Sequence, residues 1–382
     1  MEDIMKRIAL FVLILALAIT GVAGAQDTIR IGLCAPLSGD AAMVGQSLVD
    51  GAMLAIDEFN AAGGIDGHLI EVFKEDDEQT PRVAANAVSK LIFEDNVVGI
   101  IGPVSSGCVL TSMEVAADGE VPMITPTGSG ASITHLGNPW IARTQASDIL
   151  MAGAITRYAV SDLGAKRVAV IFQSDDYGSG GGEVVKQILK DEFDMEPVAY
   201  EQFEPSALDV SAQVLNIKNA DPDAIIIISM YQQGALVARK VRELGMDTPL
   251  MGLGGLTNKK LYELGGDAVV GLANTQTFFA DASKAAPASA EFIEKFQAAF
   301  DGRIPDSNNA MSYDAARIMI EGLKYSYEKT GEFDTALIME GIKSVTEMPL
   351  ASGTITMDEN GDANRDILII GITEDGGYEL IK

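Results

Sequence analysis

From Ile29 almost to the C-terminus, short apolar runs alternate with stretches whose apolar residues recur at helical spacing. Ala224-Ile-Ile-Ile-Ile-Ser229 shows no polar alternation, as expected of a parallel strand covered on both faces. The same reading predicts strands over residues 29–35, 69–74, 97–102, 122–125, 167–172, 198–203, 250–252, 269–275 and 367–373. Val49, Ala52, Met53, Ile56 and Phe59 fall on one helical face, closed by Gly63-Gly64. Similar helices are predicted over 82–94, 149–163, 184–193, 235–244, 290–300 and 311–329. This order of strand and helix predicts an α/β fold with parallel sheets. Ten strands exceed what one such sheet usually carries, so two lobes are expected.

Lys6 and Arg7 precede an apolar run from Ile8 to Ile19, and Ala23-Gly24-Ala25 stands before Gln26. That is the pattern of a secretory signal peptide, residues 1–25, starting at Met1 or Met5 and cleaved after Ala25. The alternative is an uncleaved anchor, for which 8–25 barely reaches spanning length. No Cys follows the run, which disfavours a lipid anchor. An exported, extracytoplasmic protein is expected.

Composition narrows the function classes. Of 382 residues 47% are hydrophobic, which rules out intrinsic disorder, and 55 acids against 27 bases give a formal charge of −28, which repels nucleic acid and anionic lipid. Two His and two Cys, at scattered positions, fit no zinc pattern. Cys34 ends the first predicted strand and Cys108 opens a helix after its expected neighbour, so the two either pair in an oxidising compartment or stay as buried thiols.

Ligands of parallel α/β sheets sit outside the carboxyl ends of the strands. The segments there are Pro36-Leu-Ser-Gly39, Ser105-Ser-Gly107, Thr125-Pro-Thr-Gly-Ser129, Asp175-Asp-Tyr-Gly178, Tyr231-Gln-Gln233 and Gly254-Gly-Leu-Thr257. Hydroxyls, amides, two tyrosines and glycines suit the holding of a small polar molecule better than acid–base chemistry.

The motifs Ala35-Pro-Leu-Ser-Gly39, Asn60-Ala-Ala-Gly-Gly-Ile-Asp-Gly67, Glu75-Asp-Asp77, Ile100-Ile-Gly-Pro-Val-Ser-Ser106, Pro122-Met-Ile-Thr-Pro126, Asp176-Tyr-Gly178, Tyr313-Asp-Ala-Ala316 and Met357-Asp-Glu-Asn-Gly361 come in the order seen in one family. Over nearly the whole mature chain the sequence resembles the periplasmic leucine/isoleucine/valine-binding proteins, the type I solute-binding components of ABC transporters. The resemblance implies two Rossmann-like lobes joined by three crossovers, with lobe one over 26–146 and 278–356 and lobe two over 147–277 and 357–382. It also implies a monomer without cofactor or enzymatic activity, which carries a small solute, an amino acid or organic acid, to a membrane permease.

Site residues follow by position. Ser106 precedes a helix, where a serine routinely caps backbone N–H groups and where an anion is equally welcome. In the family this position and that of Ser129 bind the ligand carboxylate, and Thr127 matches a position offering main-chain contacts. Tyr177 and Tyr231 match residues that face the ligand from the opposing lobe. Asp148, on its own an N-cap candidate, matches a position that accepts the ligand ammonium directly or through water. The chain departs from the family at Gly254, which stands where amino-acid binders carry an acid, and at Val44, which stands where they carry an aromatic.

Gly178-Ser-Gly-Gly-Gly182 lacks the ending of a phosphate-binding loop, and Gly128-Ser-Gly130 is not a hydrolase elbow. Asp358, Asn360 and Asp362 imitate a calcium loop, but Gly361 is misplaced and Ile369 stands where Glu is required, so a turn is expected. The leading expectation is a binder of aliphatic or branched-chain amino acids. The alternatives are a binder of aromatic or other organic acids lacking an amine, a binder of amides or urea, a ligand-sensing subunit and an exported hydrolase.

Overall fold

The computed structural model describes residues 28–281, 283 and 285–382, so the expected signal peptide lies outside the described residues. Apolar β1 (Ile29–Ala35) lies inside a five-stranded parallel sheet, next to the edge strand, with β2 (Ile70–Asp76), β3 (Gly99–Ile101), β4 (Met123–Thr125) and β5 (Ile141–Arg143), ordered β2-β1-β3-β4-β5. Helix α1 (Ala42–Ala61) packs on one face, and α2 (Pro81–Phe93) and α3 (Ser106–Asp118) on the other.

The chain then enters a seven-stranded sheet. Helix α4 (Asp148–Arg157) leads to β6 (Val168–Gln173), α5 (Asp176–Phe193), β7 (Ala199–Phe203), α6 (Ser211–Asn219), β8 (Ala224–Ile228), α7 (Tyr231–Glu243), β9 (Leu250–Gly252), α8 (Lys259–Gly265) and β10 (Ala273–Gln276). It returns to the first sheet as α9 (Pro287–Ala299), α10 (Ser307–Thr330) and α11 (Thr335–Lys343), followed by a small antiparallel sheet of β11 (Met348–Leu350), β12 (Gly353–Met357) and β13 (Ala363–Asn364). Strands β14 (Leu368–Ile372) and β15 (Tyr378–Leu380) complete the second sheet, ordered β15-β14-β10-β9-β8-β6-β7. The chain thus passes between the two sheets three times. β8 is buried at all five positions, as its unbroken apolar run requires.

Four departures from the pattern-based expectation have local causes. Helix α5 begins at Asp176, not near residue 184, and runs straight through Gly178-Ser-Gly-Gly-Gly182. Those glycines seat it on the sheet: a Cβ at Gly181 would lie 2.9 Å from Ile228 Cγ2, and one at Gly182 3.0 Å from Phe172 Cδ1. The run expected over 269–275 is split between a 3-10 turn, Gly266–Val269, and β10. β14 and β15 are antiparallel to their neighbours, so the second sheet is parallel from β10 to its edge at β7 and antiparallel at the other end. Finally β5, β11, β12, β13, β15, α6, α8 and α11 are short elements that the alternation of longer runs did not separate from loops.

Cys34 and Cys108 are free and buried. Asp358 Oδ1 accepts the N–H groups of Asn360 at 2.9 Å and Asp362 at 2.8 Å, and the Asp362 carboxylate is engaged by Arg143, so the calcium-like segment is a turn closed on the protein itself.

Candidate functional site

The carboxyl ends of the strands in both large sheets face one cleft, lined by Ser105, Ser106, Thr127 and Ser129 from the first sheet and by Gln173, Asp175, Tyr177, Tyr231 and Gly254 from the second. β3 runs into α3, whose N-cap Ser105 makes no side-chain capping bond, so its first N–H groups are not consumed by that side chain. The Ser106 hydroxyl accepts the Gly130 N–H at 3.1 Å, which fixes its oxygen and leaves its proton to donate. The turn after β4 is braced by Thr125 Oγ1, which accepts from Gly128 N at 3.0 Å and donates to Pro103 O at 2.7 Å, and by Thr127 Oγ1, which donates to Val104 O at 3.0 Å. Two buried serines and an uncapped helix end therefore converge from neighbouring strand ends, an arrangement that favours a carboxylate.

On the other wall, α5 and α7 begin directly after β6 and β8. Tyr177 accepts the Gly255 N–H at 3.2 Å through its hydroxyl, and burial beside Asp148 drives its pKa well above the ordinary phenol value. Tyr231 opens α7 with 8% of its surface exposed. These rings form flat, amphipathic walls. Gly254 leaves its wall open: a Cβ there would meet Gln276 Nε2 at 3.5 Å, Thr275 O at 3.6 Å and Met151 Sδ at 3.7 Å.

Of the residues singled out from the sequence, Ser106, Thr127, Ser129, Tyr177, Tyr231 and Gly254 lie together on the cleft, as does Val44. Asp148 does not line it. It occupies the first turn of α4, capped by Ser147, and is fully buried, with its carboxyl close to Ser129 and Tyr177. Burial pushes its pKa to about 7 against the opposing pull of Ser129 and the Arg143 charge. Gln79, Gln145, Met151, Gln173 and Asn308 also come to the cleft without having been singled out from the sequence, and Asp175 comes with the strand-end segment Asp175-Asp-Tyr-Gly178. Position at a strand end was a usable signal for Gln173; none existed for Asn308, on a helix distant in sequence.

The family model described as periplasmic binding protein matches residues 28–377. A Leu/Ile/Val-binding protein of Rhizobium johnstonii is 30% identical over 339 residues, 88% of this chain and 89% of that one. A leucine-, isoleucine-, valine-, threonine- and alanine-binding protein of Pseudomonas aeruginosa is 28% identical over 91% of both chains. Among solved structures, a leucine-binding protein of Thermotoga maritima superposes with a TM-score of 0.84 at 27% identity, over 93% of this chain and 98% of that one. With two parallel-centred sheets, three passages between them and a polar cleft at their strand ends, the chain belongs to the periplasmic binding protein family.

Proposed function

We propose that the protein is the extracytoplasmic solute-binding component of an ABC transporter. It captures a small carboxylate-bearing solute, with aliphatic and branched-chain amino acids the leading class, between lobes formed by 26–146 with 278–356 and by 147–277 with 357–382. It works as a monomer, exported by residues 1–25, and hands the solute to a membrane permease. The carrying observation is the convergence of the uncapped α3 N-terminus, Ser106 and Ser129 on the cleft opposite Tyr177 and Tyr231. Ser106 and Ser129 hold the carboxylate, Thr127 offers its backbone and the tyrosines close over the solute, while the relatives named for leucine, isoleucine and valine support the solute class. Binding rather than catalysis is the reading that the relatives named as binding proteins support.

The open wall at Gly254 favours a second reading, an acid without an amine, since the family's acidic partner is missing there. Mass spectrometry of the molecule released by denaturing natively extracted protein tests both. An aliphatic amino acid supports the first, a deaminated or aromatic acid the second, and a sugar or metabolite without a carboxylate contradicts both.

A further inference from the structure

A buried ammonium is costly unless a countercharge meets it. Of the two positions the sequence suggested for that role, Gly254 carries no side chain, and Asp148 is fully buried behind Ser129 and Tyr177 and does not itself line the cleft. Among the described residues that line the cleft one side chain alone is charged, Asp175, and no described cation pairs with it.

Asp175 is also held as an acceptor. It is the N-cap of α5, with Oδ1 accepting the Gly178 N–H at 2.8 Å, and its Oδ2 accepts from Gln173 Nε2. Gln173 is 2% exposed and its own Oε1 accepts the Met230 N–H at 3.0 Å, which fixes which end of the amide points at Asp175. Both bonds to the carboxylate come from neutral donors and leave lone pairs free on each oxygen. No described cation meets this carboxylate, which has only the α5 N-terminus and neutral donors around it, and burial together with the neighbouring Asp176 raises its pKa. A cation supplied by the solute relieves that cost.

Resting on the solute-binding reading above, we propose that Asp175 receives the ammonium of the bound solute, which is therefore a zwitterion with its carboxylate at the α3 N-terminus and its amine at the N-cap of α5. Gly254 is then a site that tolerates a missing acid because the acid stands two strands away, just past the end of β6.

The test is calorimetric titration of ligand-free wild type, Asp175→Asn, Asp175→Ser and Asp148→Asn with leucine and with 4-methylpentanoate, its deaminated counterpart. Asn and Ser both preserve N-capping, and thermal melts check that each variant folds. We expect wild type to prefer leucine and both Asp175 variants to lose about ten- to a hundredfold in leucine affinity, the size of a hydrogen bond to a charged group, with 4-methylpentanoate unchanged or improved. Leucine binding that survives loss of the Asp175 charge, or falls only in Asp148→Asn, overturns the assignment. If wild type binds 4-methylpentanoate as tightly as leucine, Asp175 takes no ammonium but the carboxylate reading stands. If neither binds, and isoleucine and valine also fail, both fall.

Discussion

Arg143 and Asp362, 219 residues apart, form an ion pair in which the guanidinium is completely buried. The same guanidinium donates to the carbonyls of Ser129 at 3.0 Å and Gly130 at 2.8 Å and to Thr134 Oγ1 at 3.1 Å. The end of β5, the turn that presents Ser129 and the turn between β12 and β13 are thus tied at one charge.

Breaking that tie leaves Asp362 as an uncompensated, nearly buried charge and frees three acceptors. Arg143→Met is expected to lower the unfolding free energy by about 3–5 kcal/mol, and adding Asp362→Leu to recover part of the loss. Urea denaturation of the single and double variants measures it. Additive losses would show that the pair is not coupled.

Asp148 gives stability an unusual pH dependence. Its pKa is raised in the folded protein to about 7 from an ordinary 3.8, so between these values the folded state holds a proton that the unfolded chain has released. Stability from this group is greatest below pH 4 and is lost as the pH rises through about 7. Asp148→Asn removes the dependence, so the stability of this variant relative to wild type should rise by a few kcal/mol between pH 4.5 and pH 8. Thermal melts of both proteins at the two pH values check this. A constant difference would mean that the carboxyl ionises alike in both states.

Adjacent glycines at the cleft should respond in opposite ways. At Gly254 a Cβ has only ordinary contacts, the nearest at 3.5 Å, whereas at Gly255 it would lie 2.7 Å from Tyr177 Oη and 2.8 Å from Ser229 O, a backbone atom that cannot step aside. Gly254→Glu should fold like wild type and improve amino acids relative to their deaminated analogues, by adding a second acid to the cleft. Gly255→Ala should cost about 1–3 kcal/mol through overpacking. Melting temperatures and paired titrations separate the two, and a destabilised Gly254→Glu would contradict the geometry.

The apolar strands β1, β6 and β8 and the face of α1 were legible because long runs with a single period leave little choice of element. The Gly-rich start of α5 was not, since local propensity argues against a helix and only its close seating against Phe172 and Ile228 overrides that. β5, three residues long, is specified by its neighbours: Met123 N bonds to Trp140 O at 2.9 Å, and Arg143 N to Gly361 O at 2.8 Å. In the cleft, Ser106, Ser129, Tyr177 and Tyr231, which the resemblance pointed to, do line one surface. Asp148 at the start of α4 and Asp175 at the start of α5 look alike in sequence, both acids at helix starts, and only the packing around them makes Asp148 fully buried and Asp175 part of the cleft lining.

The central claim, a carboxylate-bearing solute held between the two sheets by Ser106 and Ser129, is tested most directly by titrating ligand-free wild type, Ser106→Ala and Ser129→Ala with leucine, isoleucine and valine in a calorimeter. The account predicts saturable one-to-one binding of at least one of them to wild type, and a loss of about 1.5–3 kcal/mol in each variant, roughly tenfold to a hundredfold. Binding that both variants retain at full strength, with folding intact, or no heat from any aliphatic amino or carboxylic acid at millimolar concentration, would contradict it.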